Sequence, residues 1–144
     1  MKFEKFAKKA VPHAACVTVD NAKYLSFNGV YALIPAWCGN IGIESKENEE
    51  LDDILNNADW SDCEASLTSA YLPNADDKAK DIVRVFSDDE GGKVGISNEN
   101  FALIEKTDMC VIATNEDGKT ALLVGKYADI EDFEPDAIII GVED

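Results

Sequence analysis

The stretch Cys110 to Val124, Cys-Val-Ile-Ala-Thr-Asn-Glu-Asp-Gly-Lys-Thr-Ala-Leu-Leu-Val, constrains the fold more than any other part of the chain. It reads as two strands folded about Asp117-Gly118, a dipeptide suited to a two-residue type I′ turn because both central positions need φ > 0. That turn sets Glu116 opposite Lys119, Ala113 opposite Leu122, Ile112 opposite Leu123 and Val111 opposite Val124. Both faces of such a ribbon are apolar, so it belongs inside a sheet covered on both sides.

A second hairpin is marked by Asn28-Gly29, between Lys23-Tyr24-Leu25-Ser26-Phe27 and Val30-Tyr31-Ala32-Leu33-Ile34. Asn-Gly between alternating residues is a strong short-range hairpin signal. It sets Phe27 against Val30 and Leu25 against Ala32 on one face, with Tyr24 and Leu33 on the other. Pro35 ends the ribbon, since it cannot donate to a ladder. Ala15 to Val19 alternates as a strand before a turn at Asp20-Asn21.

Two segments carry helical periodicity. In residues 2–10, Phe3, Phe6, Ala7 and Ala10 form an apolar stripe, with Lys2, Lys5, Lys8 and Lys9 around the rest. In Glu47 to Ala58, Leu51, Ile54, Leu55 and Ala58 form the stripe, and Glu47, Glu49 and Glu50 sit where the helix dipole favours negative charge. Trp60 follows as an anchor for the connection. Residues 36–46 read as a glycine-containing loop leading into a short strand, and Cys63 to Leu72 as a strand ending at Pro73. Asn74 to Phe86 is open between a helix capped by Asn74 and a strand at Ile82–Phe86, with the β-branched content favouring the strand. Lys93 to Ile96 then returns. Phe101 to Glu105 reads as a further strand, Tyr127 to Pro135 as an acidic connector, and Ala137 to Val142 as a last apolar strand. These elements describe an α+β fold in residues 1–144. It is a single domain built on a largely antiparallel, hairpin-rich sheet of about seven to nine strands with two short helices.

Charge is the unusual property. The net charge is −16, and it is concentrated. Residues 44–64 carry nine acids and one Lys, and residues 108–144 carry ten acids and two Lys, whereas residues 1–43 are mildly basic at +3. A chain this negative repels nucleic acid and anionic membrane and attracts basic surfaces. No apolar run approaches the ~20 residues of a membrane-spanning helix. The basic start of the chain lacks the apolar core of a signal peptide, which leads to the expectation of a cytoplasmic protein. The four cysteines, Cys16, Cys38, Cys63 and Cys110, fit a reducing compartment. Cys16 and Cys110 lie in strand-like runs as small buried hydrophobes.

The motifs for chemistry are sparse. His13 is the only histidine, so with these cysteine spacings no zinc site can be assembled. Loops starting at Asp88 or Asp129 fail the calcium-loop pattern, and the two glycines flanking Ile41 lack a phosphate-loop ending. No cofactor and no catalytic residue is expected. The leading expectation is a non-enzymatic binding protein whose acidic face engages a basic protein partner. That reading extends to a nucleic-acid mimic inhibiting a nuclease or other nucleic-acid-binding defence protein. Its candidate residues are Asp52, Asp53, Asp129, Glu131, Asp132 and Glu134. Two alternatives stand beside it. One is a homo-oligomeric structural subunit joined through sheet edges. The other is a small-ligand domain with a pocket lined by Trp37, Trp60 and Tyr71.

Overall fold

The computed structural model describes residues 1–11, 13–35, 45–73 and 82–142, with backbone alone at 71–73. Chain order is α1 (Phe3–Ala10), β1 (Ala15–Val19), β2 (Ala22–Phe27), β3 (Val30–Leu33), β4 (Ser45–Glu47), α2 (Glu49–Asn56), β5 (Asp59–Trp60) and β6 (Ser66–Pro73). It continues with β7 (Ile82–Ser87), β8 (Lys93–Ser97), α3 (Asn98–Phe101), β9 (Asp108–Thr114), β10 (Thr120–Lys126), a 3₁₀ turn (Ile130–Asp132) and β11 (Pro135–Ile140). The fold is α+β and mostly antiparallel, as the sequence pattern indicates, although the short edge strands raise the strand number to eleven among the described residues.

Eight strands form the central sheet in the order β4-β1-β2-β3-β11-β10-β9-β5. The β1–β4 pair is parallel, with Thr18 Oγ1 hydrogen-bonded to Ser45 Oγ. A second sheet has the order β6-β7-β8. Each face of the central sheet is covered. Phe6 and Ala10 of α1, Phe86, Val94 and Ile96 of the second sheet, and Leu103 pack on Leu25, Val30, Ile112, Leu122 and Ile139. On the other face Leu51 and Ile54 of α2, together with Phe133, pack on Tyr24, Tyr31, Val111, Leu123 and Ile138. Leu122, Leu123, Ile138 and Ile139 are 0% exposed, and full burial of such a side chain stabilises by about 1.5–3 kcal/mol. The two-sided apolar pattern of β9 and β10 therefore has its cause in this three-layer arrangement.

The two hairpins respond differently to their turns. Asn28 and Gly29 have φ of 52° and 78°, and β2 pairs with β3 in the expected register, Phe27 with Val30 and Leu25 with Ala32. The β9–β10 hairpin is shifted by one residue. Thr114 pairs with Thr120, Ile112 with Leu122 and Val111 with Leu123. The physical reason is Asn115. Its Oδ1 accepts from the backbone N–H of both Asp117 and Lys119, at 3.0 and 2.9 Å. Gly118 N donates to Asn115 O, and Gly118 takes φ +80°. The loop is thus a three-residue type I turn plus left-handed glycine, in place of the two-residue turn.

Phe101 to Glu105 is not a strand. Ser97 Oγ accepts from Asn100 N, capping the short α3, and Leu103 N and Ile104 N donate back to Asn100 O and Phe101 O in successive turns. The last strand begins earlier and ends earlier than its apolar run, at Pro135 and Ile140. The second helix is likewise shorter than its stripe, since Glu47 belongs to β4 and Asn48 is the cap, accepting from Leu51 N at 2.8 Å. Ile82–Ser87 is a strand. The segment 74–81, Cys38 and Trp37 lie outside the described residues, as does the side chain of Tyr71. Among the described residues no helix is long and apolar enough to cross a membrane.

Candidate acidic interface

The acidic segments are carried by two elements that cover the same face of the central sheet. In α2, Leu51 and Ile54 point into the core beside Tyr31 and Val19, which turns Glu49, Glu50 and Asp52 outward and leaves Asp53 half-buried. In the connector after β10, Phe133 is buried in that same core and Ile130 packs against it. Asp129, Glu131, Asp132 and Glu134, which flank these two anchors, are exposed. The six sequence-derived candidates therefore lie on two segments of one face, each positioned by an apolar anchor beneath it.

Neutral donors hold the helix segment in place. Tyr31 donates its hydroxyl to Glu50 Oε1 at 2.6 Å. Asn56 Nδ2 donates to Asp52 Oδ1 at 2.6 Å and to Asp20 Oδ2 at 3.0 Å, which ties α2 to the β1–β2 turn. Trp60 Nε1 donates to Ile54 O at 2.9 Å, so this indole anchors the exit of α2 as expected. The connector is set by Gly125, where β10 pairs irregularly with β11 and the Glu134 carbonyl lies where a side chain would be. The three ion pairs resolved among the described residues join Met1 to Asp108, Met1 to Glu105 and Lys9 to Glu99. None of them involves the six acids.

Two clefts flank α2. One, of about 600 Å³, separates it from the β9–β10 loop and brings Asp117 toward Glu50 and Asp53. The other, of about 450 Å³, is rimmed by Asp20, Glu47, Glu49 and Asp52. Asp20 and Asp117 join the face through topology, and as turn residues they carry no sequence signal for it. Among the described residues no group of three or more His, Cys, Asp or Glu side chains is arranged to hold a metal ion. The three lysines of α1, Lys5, Lys8 and Lys9, with Lys2 just before it, sit on the helix covering the opposite face of the sheet.

Elsewhere, a cavity of about 620 Å³ lies between the start of α1, β3 and β10. Lys5, Lys126 and Asp136 line it together with Phe3, Leu33 and Pro35, a mixed-charge wall distinct from the acidic face. His13 is exposed, while Cys16 and Cys110 are buried. Burial, reinforced by Asp108 and Glu64, pushes the Cys110 thiol up to about 12, so it stays protonated at neutral pH. No protein-family model, curated protein or solved structure matches the chain.

Proposed function

We propose that the chain is a binding protein, not an enzyme, and that the face built by α2 and the 129–134 connector engages a basic protein surface. The observation that carries this reading is the placement of both acidic segments over one face of the sheet, anchored from below, with all of the six candidate residues exposed except the half-buried Asp53. A face of this kind needs little reordering on contact, so less of the attraction is spent on fixing side chains. Long-range attraction steers a basic partner toward it. A nucleic-acid-binding protein presents such a basic surface, and carboxylates held in a fixed array displace its counterions as phosphates do.

The test is binding to a basic nucleic-acid-binding protein, measured as competition with duplex DNA across a salt series. The expected result is displacement of DNA by the chain, with affinity falling by about tenfold or more from about 50 to about 200 mM salt. The quadruple variant Asp52→Lys, Asp53→Lys, Glu131→Lys, Asp132→Lys abolishes it. Unchanged affinity in that variant, with its fold intact by circular dichroism, rejects the acidic face as the binding surface.

A further inference from the structure

The edges of the two sheets are treated unequally. The central sheet ends in β4, three residues, and β5, two residues, lengths too short to template another strand. In the second sheet, β8 is covered where Val142 N donates to Gly95 O at 2.7 Å. The remaining edge is β6. It is the longest described strand, eight residues, and β7 pairs with one side of it. Among the described residues no strand lies along the other side of Ser66–Pro73.

The composition of β6 is at odds with its exposure. Ser66, Leu67, Ser69 and Ala70 are exposed, with Leu67 at 38%. Yet Ser-Leu-Thr-Ser-Ala-Tyr-Leu-Pro contains no charged residue, in a chain where charged residues make up 29%. The other strands without charge, β1 and β3, lie inside the central sheet, where burial accounts for it, and that reason does not apply here. Exposed edges are guarded by charge, by proline or by a bulge; β6 has no charge, its proline stands only at its last position, Pro73, and its bulge is confined to the middle of the strand. The register shift between Leu67 and Tyr71 widens β6 locally. Thr68 keeps that bulge ordered, donating to Val85 O at 2.8 Å and accepting from Ala70 N at 3.2 Å.

We propose that β6 is a self-association edge, where two copies of this chain pair β6 to β6, antiparallel, about a twofold axis. Two three-stranded sheets then become one sheet of six. A second copy is the occupant that the charge distribution favours. Two chains of −16 approach at least cost where neither carries charge. A basic partner is drawn instead to the acidic face, which lies across the central sheet from the side that the second sheet covers. A twofold contact sets a patch against itself, and a run without charge tolerates that where a charged one does not.

The test is analytical ultracentrifugation of the full chain at about 50 and about 500 mM NaCl, where screening removes most long-range repulsion. The expected result is a reversible dimer that strengthens with salt, opposite in sign to the binding of a basic partner. Ser69→Glu and Ser69→Lys each weaken it by about tenfold or more by placing like charges together at the pairing edge, with melting temperature unchanged. Ser66→Glu serves where either substitution disturbs folding. The quadruple charge reversal of the acidic face leaves the dimer in place, so loss of partner binding and loss of the dimer are separable. A monomer at all salt concentrations, a dimer that weakens with salt, or a dimer indifferent to all the β6 substitutions overturns the proposal.

Discussion

Tyr31 donates its hydroxyl to Glu50 Oε1 across 2.6 Å, so β3 holds the helix that carries one of the two acidic segments. Burial, then the bond to Glu50, raises the Tyr31 pKa from about 10 to about 12. The unfolded chain releases this proton near the ordinary tyrosine value, about 10. Stability from Tyr31 is therefore fully present below about 10 and lost as pH rises through about 12. Tyr31→Phe should cost about 0.5–1.5 kcal/mol at neutral pH, the usual net value of one hydrogen bond. It should also flatten the alkaline limb of a melting-temperature-against-pH curve.

Asn115 tests the register of the central ribbon, and Gly118 tests the strain in its turn. The φ of Gly118 is +80°, and an added Cβ would meet nothing within 4 Å. The cost of Gly118→Ala is then purely conformational, about 1–2 kcal/mol for an L-residue held in the left-handed region. Asn115→Ala removes the acceptor for two backbone donors and should cost a similar amount. Chemical denaturation of both variants checks the loop assignment: Gly118→Ala is costly in either turn, so indifference to Asn115→Ala is the result that argues for a two-residue turn.

Gly125 controls the connector. A methyl group there runs into the Glu134 backbone and the Phe133 ring, and backbone does not yield as a flexible side chain does. Gly125→Ala should destabilise by about 1–3 kcal/mol, the usual range for overpacking. Amide hydrogen exchange should quicken across 129–134 before it does in β9. Uniform protection in the variant would show that the connector is not seated on Gly125.

Asp136 has an unusual titration. Burial raises its pKa, with Asp108 adding to the rise, while the Met1 ammonium and Lys126 oppose it. Its Oδ1 is buried without a hydrogen-bond partner. A carboxyl whose folded pKa is raised gives stability that is complete below the unfolded value and is lost as pH rises through the folded one. Asp136→Asn should therefore raise the melting temperature near neutral pH. The gain should fade as pH falls toward the ordinary aspartate value of about 3.9. A variant stabilised equally at both ends would point to packing rather than charge.

Particular residues explain how far the sequence could be read. Asn28-Gly29 could be placed in register because tight-turn chemistry and face pattern agree there, with Leu25 and Phe27 on one side and Tyr24 on the other. At Cys110–Val124 a one-residue slip leaves apolar residues on both faces, so the pattern has nothing with which to resist it. The decision passes to the Asn115 side chain, which captures two backbone donors. Phe101–Glu105 has strand-like composition, and the cap at Ser97 overrides it. Asp52, Asp53, Asp129, Glu131, Asp132 and Glu134 were visible as charge. That Asp20 and Asp117 border the clefts beside α2 follows from strand order, which no local pattern encodes.

The position of β11 has a consequence for how the molecule comes into being. Ala137, Ile138 and Ile139 sit between β3 and β10, pairing with Ala32, Tyr31 and Val30 on one side and with Val124, Leu123 and Leu122 on the other. Until residue 140 has left the ribosome, the hairpins made first and those made last have no strand to join them. The contacts that complete the sheet span more than a hundred residues of chain, which makes closure slow compared with local hairpin formation. During synthesis the apolar edges of β3 and β10 stand open together, so it is the newborn chain, more than the finished one, that needs shielding from its neighbours.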